Sequence, residues 1–127
     1  MAGEFGNYIN EKRKGGNPDG TDILLKDIAT AIGVTATYLS DIIKGRRNPP
    51  DMASMQKIAE LLHLSEDECA EMYDLAGRDR NEAAPDLPEY IMDEDIPYVR
   101  AALRRASTKK LGNDFWKRVF EEMGEDE

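Results

Sequence analysis

A dense group of positive charges lies at residues 44–47, where Lys44, Arg46 and Arg47 stand within four positions. Ammonium and guanidinium groups bind oxyanions such as phosphate, and an arginine can do so with two parallel hydrogen bonds. Two hydrogen-bonding side chains, Thr37 and Ser40, precede these cations at helical spacing. The chemistry that these residue types offer is recognition of a polar, anionic surface rather than bond breaking.

The remaining reactive side chains do not form a pattern that predicts catalysis or metal binding. His63 is the only histidine and has no second ligand or nucleophile near it in the sequence, and the single Cys69 precludes a disulfide within the chain. The polar loop at residues 15–22 contains Asp19 and Asp22, but its spacing does not match a calcium loop. We therefore predict no enzymatic activity, no metal and no cofactor.

Two short amphipathic patterns between residues 25 and 49 predict two helices that would position the hydrogen-bonding and basic side chains. Gly33 separates the patterns, because glycine can adopt the positive φ that ends one helix and turns the chain. Thr35 is a suitable N-cap for the second helix. Two helices joined at a steep angle by so short a turn form a helix-turn-helix. Its predicted interior comprises Ile28, Ala29, Ile32, Val34, Leu39, Ile42 and Ile43.

This segment resembles the helix-turn-helix of the lambda repressor/Cro-like (Xre) family of DNA-binding proteins. The small Ala29, the Gly33 four positions later and the apolar Val34, Leu39 and Ile42 stand where that family places them. The sequence KGRRNP that follows resembles the family's loop after its recognition helix. The resemblance implies a sequence-specific transcriptional regulator that binds double-stranded DNA, with repression as the family's usual mode.

The resemblance also implies which side chains meet DNA. Residues 36–44 would lie in the major groove, with the N-terminal ones on base edges and the basic loop on phosphates. Leu25 and Ile43 depart from the family, which often has Gln and Glu at these positions. The predicted DNA-binding residues are Arg13, Lys26, Thr35, Ala36, Thr37, Tyr38, Ser40, Asp41, Lys44, Arg46, Arg47 and Asn48.

Further helical patterns surround the helix-turn-helix. They predict a first helix at residues 5–14, a fourth at 50–64 and a fifth that begins at a capping box at 65–68 and ends at Gly77. Arg13, at the basic end of the first helix, is either a phosphate contact or an ordinary solvated helix end. The predicted fold class is all-α, with a five-helix lambda repressor-like DNA-binding domain at residues 1–77.

Beyond this domain, the pattern predicts a linker at residues 78–94 and a C-terminal pair of amphipathic helices at 95–127. The first of these helices begins near Pro97, a first-turn residue, and carries Arg100 on the face opposite its apolar residues. Asn113 or Asp114 is expected to cap the second. The candidate dimerisation residues are Leu103, Phe115, Trp116, Val119 and Phe120, although the same face could instead pack back against the N-terminal domain.

The charge distribution is uneven along the chain, whose formal net charge is −9. Residues 1–50 contain seven Lys and Arg against six Asp and Glu, whereas residues 51–127 contain ten against twenty. A local basic field steers a duplex more effectively than total charge does, so an acidic chain remains compatible with DNA binding. The chain contains neither a long apolar run nor a signal-peptide pattern, and a cytoplasmic, non-membrane protein is the prediction.

The size of the module bears on its partners. One small helix-turn-helix contacts few bases, so a homodimer on a palindromic operator is the natural arrangement. A different class of function remains open: an antitoxin-like or adaptor module whose C-terminal helices bind a partner protein, with DNA binding secondary or absent.

Overall fold

Apolar residues recur at helical spacing through most of the chain, and every regular element that they form is a helix. The computed structural model describes residues 3–125, which contain helices and loops and no strand. This confirms the all-α fold class. The helices are α1 (Glu4–Lys12), α2 (Leu25–Ile32), α3 (Ala36–Ile43), α4 (Met52–Leu61), α5 (Glu66–Arg80), α6 (Pro88–Ile91), α7 (Pro97–Thr108) and α8 (Asn113–Met123).

The chain divides into two compact units, one up to Pro88 and one from Glu89 onward. In the first unit, α1 packs on α3 and α5, while α2 packs on α3 and α4. Each of these helices turns one apolar stripe inward, which is how short helices acquire stability in water. The largest fully buried side chains are Phe5, Ile9, Ile28, Leu39, Met55, Ile58 and Met72.

The turn between α2 and α3 has the predicted local structure. Gly33 ends α2 in the left-handed conformation, with φ at 76°. The hydroxyl oxygen of Thr35 accepts a hydrogen bond from the Tyr38 N–H at 3.0 Å and so caps α3. On the inward face of α3, Leu39 and Ile42 are buried. The inward face of the helix-turn-helix is therefore the one that the sequence predicted.

The end of α5 differs from the prediction that Gly77 stops this helix. The helix continues to Arg80 and ends at Asn81, which adopts a positive φ of 58°. Gly77 is buried inside α5, where a Cβ would lie 2.9 Å from backbone atoms of Ala83 and Ala84. The prediction was wrong because this glycine allows the returning chain to approach the helix closely, a requirement that local pattern does not reveal.

The N-terminus of α1 is capped from a distant part of the chain. Gly3 has no side chain to offer the first turn, and the Asp79 carboxylate on α5 accepts the N–H groups of Glu4 at 3.3 Å and Phe5 at 3.0 Å. At the other end of α1, the Lys12 ammonium lies 2.9 Å from the Glu68 carboxylate. Both contacts fasten α1 along α5.

Glu68 combines this ion pair with the predicted capping box. Its carboxylate accepts the Ser65 N–H at 2.9 Å, while its own N–H donates to the Ser65 hydroxyl at 3.1 Å, which confirms the box. Two hydrogen bonds hold the pKa of the Glu68 carboxyl below its ordinary value. The larger effect comes from the Ser65 N–H and the next from the Lys12 ammonium. The charged form of Glu68 is therefore favoured in the folded state.

Stability should consequently depend on the ionisation of Glu68. A carboxyl whose folded pKa is lowered stabilises the fold above its unfolded pKa, and that stabilisation is lost as the pH falls through the folded pKa. The relevant window lies below the ordinary glutamate pKa of 4.5. Urea unfolding across this window should show a smaller acid-induced loss for Glu68→Gln than for the wild type. Glu71→Gln, which alters an exposed acid on the same helix, should leave the acid-induced loss at the wild-type size.

The second unit contains one further correction and one contact that the sequence did not predict. As predicted, α7 begins at Pro97, but the N-cap residue of α8 is Gly112, and neither Asn113 nor Asp114 caps that helix. The Arg100 guanidinium is not turned away from the fold: it donates hydrogen bonds to the carbonyl oxygens of Ile91 at 2.7 Å and Asp93 at 2.9 Å. A helical wheel places Arg100 on a polar face but does not reveal that the preceding loop folds over it.

Candidate nucleic-acid interface

The outer face of α3 carries the side chains that the sequence assigned to base reading. Because Leu39, Ile42 and Ile43 anchor the opposite face in the core, this face is held outward. Ser40 and Asp41 are half-buried along it. Thr35, Ala36, Thr37, Tyr38, Lys44, Arg46, Arg47, Asn48 and Lys26 are exposed.

The basic loop folds back tightly onto the end of α3. Gly45 adopts a positive φ of 81°, and the N–H groups of Arg46 and Arg47 donate to the Asp41 carbonyl oxygen at 2.8 and 3.3 Å. This turn returns both arginines to the side of the helix. Their side chains remain 69% and 53% exposed, so they are accessible to an anionic ligand.

Asp41 lies among the chain's own cations. Its carboxylate is 3.5 Å from the Nη1 atom of Arg46 and 3.9 Å from the Nε atom of Arg47. Exposed pairs of this kind contribute little to folding stability. They do offset the negative charge that Asp41 would otherwise present toward a polyanion, because the two opposite charges partly cancel at a distance.

Tyr38 contacts Arg47 directly, a pairing that sequence reasoning missed. The guanidinium carbon of Arg47 lies 4.5 Å from the centroid of the Tyr38 ring, within the range of a cation–π interaction. The two residues are nine positions apart and joined through a loop. No helical or strand period relates them, so only the fold of the loop brings them together.

The Arg13 side chain is partly exposed and makes hydrogen bonds to its own unit. Its Nε atom donates to the Asn10 side-chain oxygen at 3.0 Å, and its Nη1 atom donates to the Ile23 carbonyl at 3.2 Å. The Ile23 N–H donates in turn to the Arg13 carbonyl at 2.8 Å. Arg13 therefore joins the two ends of the polar loop at residues 15–22, and its contact with a phosphate stays a prediction.

Arg80 on α5 contacts the backbone that follows the basic loop, and sequence reasoning did not predict this contact either. Its guanidinium donates to the carbonyl oxygens of Pro49 and, at 3.4 Å, of Pro50. The next residue, Asp51, caps α4 by accepting the Ser54 N–H at 2.9 Å. An open groove of about 760 Å³ lies beside α3 at this place. Its lining includes Val34, Tyr38, Arg46, Arg47, Asn48, Asp51, Ser54 and Arg80.

The acidic side chains of the polar loop at residues 15–22 accept hydrogen bonds from other residues of the same loop. Asp22 accepts the Gly15 N–H at 2.9 Å, and Asp19 accepts both the N–H and the hydroxyl of Thr21. Hydrogen bonds from Thr21, first from its hydroxyl and second from its N–H, hold the pKa of the Asp19 carboxyl below its ordinary value.

Across residues 3–125, no three His, Cys, Asp or Glu side chains are grouped so as to hold a metal ion. Nor does any helix in that part of the chain have the length and apolar character of a membrane span.

Comparison with known proteins identifies the central part of the chain. The helix-turn-helix family model matches residues 22–69, which contain α2, α3, α4 and the start of α5. The chain has no match among curated proteins or solved structures. Together with the geometry of Gly33, Thr35 and the exposed face of α3, this match confirms the resemblance. Residues 22–69 are a DNA-binding helix-turn-helix domain of the lambda repressor/Cro-like (Xre) family.

Proposed function

We propose that the chain is a sequence-specific transcriptional regulator, and that it acts as a dimeric repressor which inserts α3 into the major groove of its operator. The observation that carries this proposal is the juxtaposition of the exposed face of α3 with a basic loop whose arginines are exposed. A helix that presents short polar side chains beside cations matches the two kinds of contact that such proteins make, to bases and to phosphates.

The two kinds of residue have different tasks in this proposal. Thr37 can exchange hydrogen bonds with a base edge and pack its methyl group on a thymine, while the neighbouring Ala36 offers an apolar contact only. Lys44, Arg46 and Arg47 contact phosphates and supply most of the salt-dependent affinity. Because the rest of the chain is acidic, this small basic surface provides the local attraction.

Dimerisation is assigned to the second unit. On α8, Phe115 and Trp116 stack edge to face with ring centroids 5.0 Å apart, and Phe120 is 74% exposed. Among the described residues from Glu89 onward, Ala106 alone is buried. This unit therefore has little core of its own, and a second copy of the chain would cover its apolar surface. The proposed contact residues are Leu103, Phe115, Trp116, Val119 and Phe120.

Selection of bound duplexes from random DNA tests the function directly. We expect enrichment of a palindromic site whose half-sites are separated by about one helical turn or a multiple of it. An enriched site without two-fold symmetry would contradict the dimer, and no enrichment at all would contradict sequence-specific binding.

Once a site is available, a double variant tests the proposed surface. Thr37→Ala with Arg46→Ala should lower affinity for the selected site by at least about tenfold, since it removes a base contact and a phosphate contact. It should also reduce the slope of log affinity against log salt by about one. The measurement is fluorescence anisotropy over a salt series. Lys109→Ala, which removes the same charge from the second unit, serves as the control, and wild-type affinity in the double variant would exclude this surface.

A second candidate function is a protein-interaction module of antitoxin-like or adaptor type. The observation that favours it is the exposure of Tyr90, Met92 and Tyr98 in addition to the α8 residues. It predicts a stable complex with a different protein, recovered from cells, together with no affinity for any duplex even at low salt. Sequence-specific DNA binding by the isolated homodimer would rule out this alternative as the primary function.

A further inference from the structure

The Arg47 side chain is held at two points before any ligand is bound. Its guanidinium lies over the Tyr38 ring, with 4.5 Å between the guanidinium carbon and the ring centroid. Its Nε atom is 3.9 Å from the Asp41 carboxylate, and its backbone N–H donates to the Asp41 carbonyl. Both the base and the tip of this side chain are therefore restrained.

The two restraining residues form a rigid support. Tyr38 and Asp41 are three positions apart on α3, so they share a face of the helix. The core anchors that helix through Leu39 and Ile42, which flank the support on the inward side. Within residues 3–125, the terminal nitrogens of Arg47 donate no hydrogen bond to protein atoms, and the side chain remains 53% exposed.

An arginine that is restrained in this way loses less freedom on binding than a mobile one. Immobilising a flexible side chain at an interface weakens binding, and this loss is avoided when the side chain is already in place. The planar guanidinium can stack on a ring with its face while its edge donates to an oxyanion, because the two interactions use different directions.

We propose that Tyr38 and Asp41 are positioning residues which hold Arg47 ready for one DNA phosphate at the edge of the major groove. This inference rests on the proposed function. It assigns Tyr38 a role that acts through Arg47, by means of its ring, rather than a direct contact between its hydroxyl and the DNA backbone. It also assigns Asp41 to the support of the basic loop rather than to base reading.

The experiment measures affinity of the full chain for a short mixed-sequence DNA duplex over a salt series, so that no operator is needed. Tyr38→Phe keeps the ring and should bind as the wild type does. Tyr38→Leu should bind roughly two- to ten-fold more weakly with an unchanged salt slope, because the phosphate contact is kept but is no longer preformed. Arg47→Ala should weaken binding and lower the slope by about one. Adding Tyr38→Leu to Arg47→Ala should cause no further loss.

A spectroscopic measurement on the free protein tests the geometry without DNA. In the wild type and Tyr38→Phe, the ring current should shift the Arg47 side-chain methylene protons upfield in the NMR spectrum, and Tyr38→Leu should abolish that shift. Thermal unfolding of each variant checks that the fold is retained.

Several results would overturn the inference. An equal loss from Tyr38→Leu in the presence and absence of Arg47 would show that Tyr38 meets DNA itself. A loss in Tyr38→Phe would assign the effect to the hydroxyl. An unshifted Arg47 spectrum in the wild type would remove the geometric basis while leaving the proposed function intact. A wild-type chain that binds no duplex at low salt would overturn the proposed function together with this inference.

Discussion

Replacing Gly6 with alanine should lower the free energy of unfolding by about 3 kcal/mol, although alanine is ordinarily the better helix former. Gly6 is buried in α1, where the helix crosses the end of α3. An added Cβ would overlap the Ile43 carbonyl oxygen and lie 2.7 Å from its carbonyl carbon and 2.8 Å from its Cα. These are backbone atoms, which cannot rotate away as a flexible side chain can, so α1 and α3 would have to separate.

Urea unfolding followed by circular dichroism measures this effect. Asn7→Ala provides the matched control, because Asn7 is the next residue of α1 and is exposed. It should leave stability unchanged or raise it by a few tenths of a kcal/mol, about the difference in helix propensity. Wild-type stability in Gly6→Ala would show that α1 does not pack so closely on α3. Since α3 is the proposed recognition helix, the destabilised variant should also bind DNA more weakly.

Replacing Phe120 with glutamate should convert the proposed dimer to a monomer and reduce operator affinity by a factor of about 10² to 10⁴. Phe120 is 74% exposed, so the substitution should not disturb the fold of its own chain. In a dimer, however, it would place a charge in an apolar interface, where an unpaired carboxylate is strongly unfavourable. The affinity falls because each half-site is then bound by an independent domain instead of by two linked ones.

Light scattering and anisotropy on the selected operator measure the two consequences. Tyr98→Glu serves as the control, since Tyr98 is 86% exposed in the same unit but lies outside the proposed contact set. It should remain dimeric and bind the operator as the wild type does. A Phe120→Glu chain that stays dimeric would contradict the assignment of α8 as the interface. Normal operator affinity in a monomeric variant would contradict the need for two linked domains.

The features predicted correctly from the sequence depend on contacts within a few residues. Thr35 caps α3, Ser65 and Glu68 form a capping box, and Pro97 begins α7. Gly33 adopts a left-handed conformation. In each case the interacting groups are at most four residues apart or belong to a single residue. Residue type and spacing were therefore sufficient.

The wrong helix end and the contacts that were not predicted lie where different parts of the chain meet. Gly77 was expected to end a helix, but the backbone of Ala83 and Ala84 returns against it. Arg100 was placed on the face of α7 opposite its apolar residues, and a helical wheel did not show that the loop at Ile91 and Asp93 folds over its guanidinium. Arg13 was considered for solvent or phosphate, and the sequence did not show that its guanidinium also joins the ends of a loop. A helical wheel treats each helix as if it were isolated, so it cannot include such contacts.

By itself, the sequence determined that the chain is helical, that α2 and α3 form a helix-turn-helix and that Lys44, Arg46 and Arg47 follow the outer face of α3. Periodicity and turn chemistry are local, which is why they could be read without coordinates. The tertiary structure decided which of these groups touch. It placed Arg47 on the Tyr38 ring and brought Arg80 to the loop before α4. Contacts of this kind join residues far apart in the sequence, and only the path of the folded chain brings them within reach.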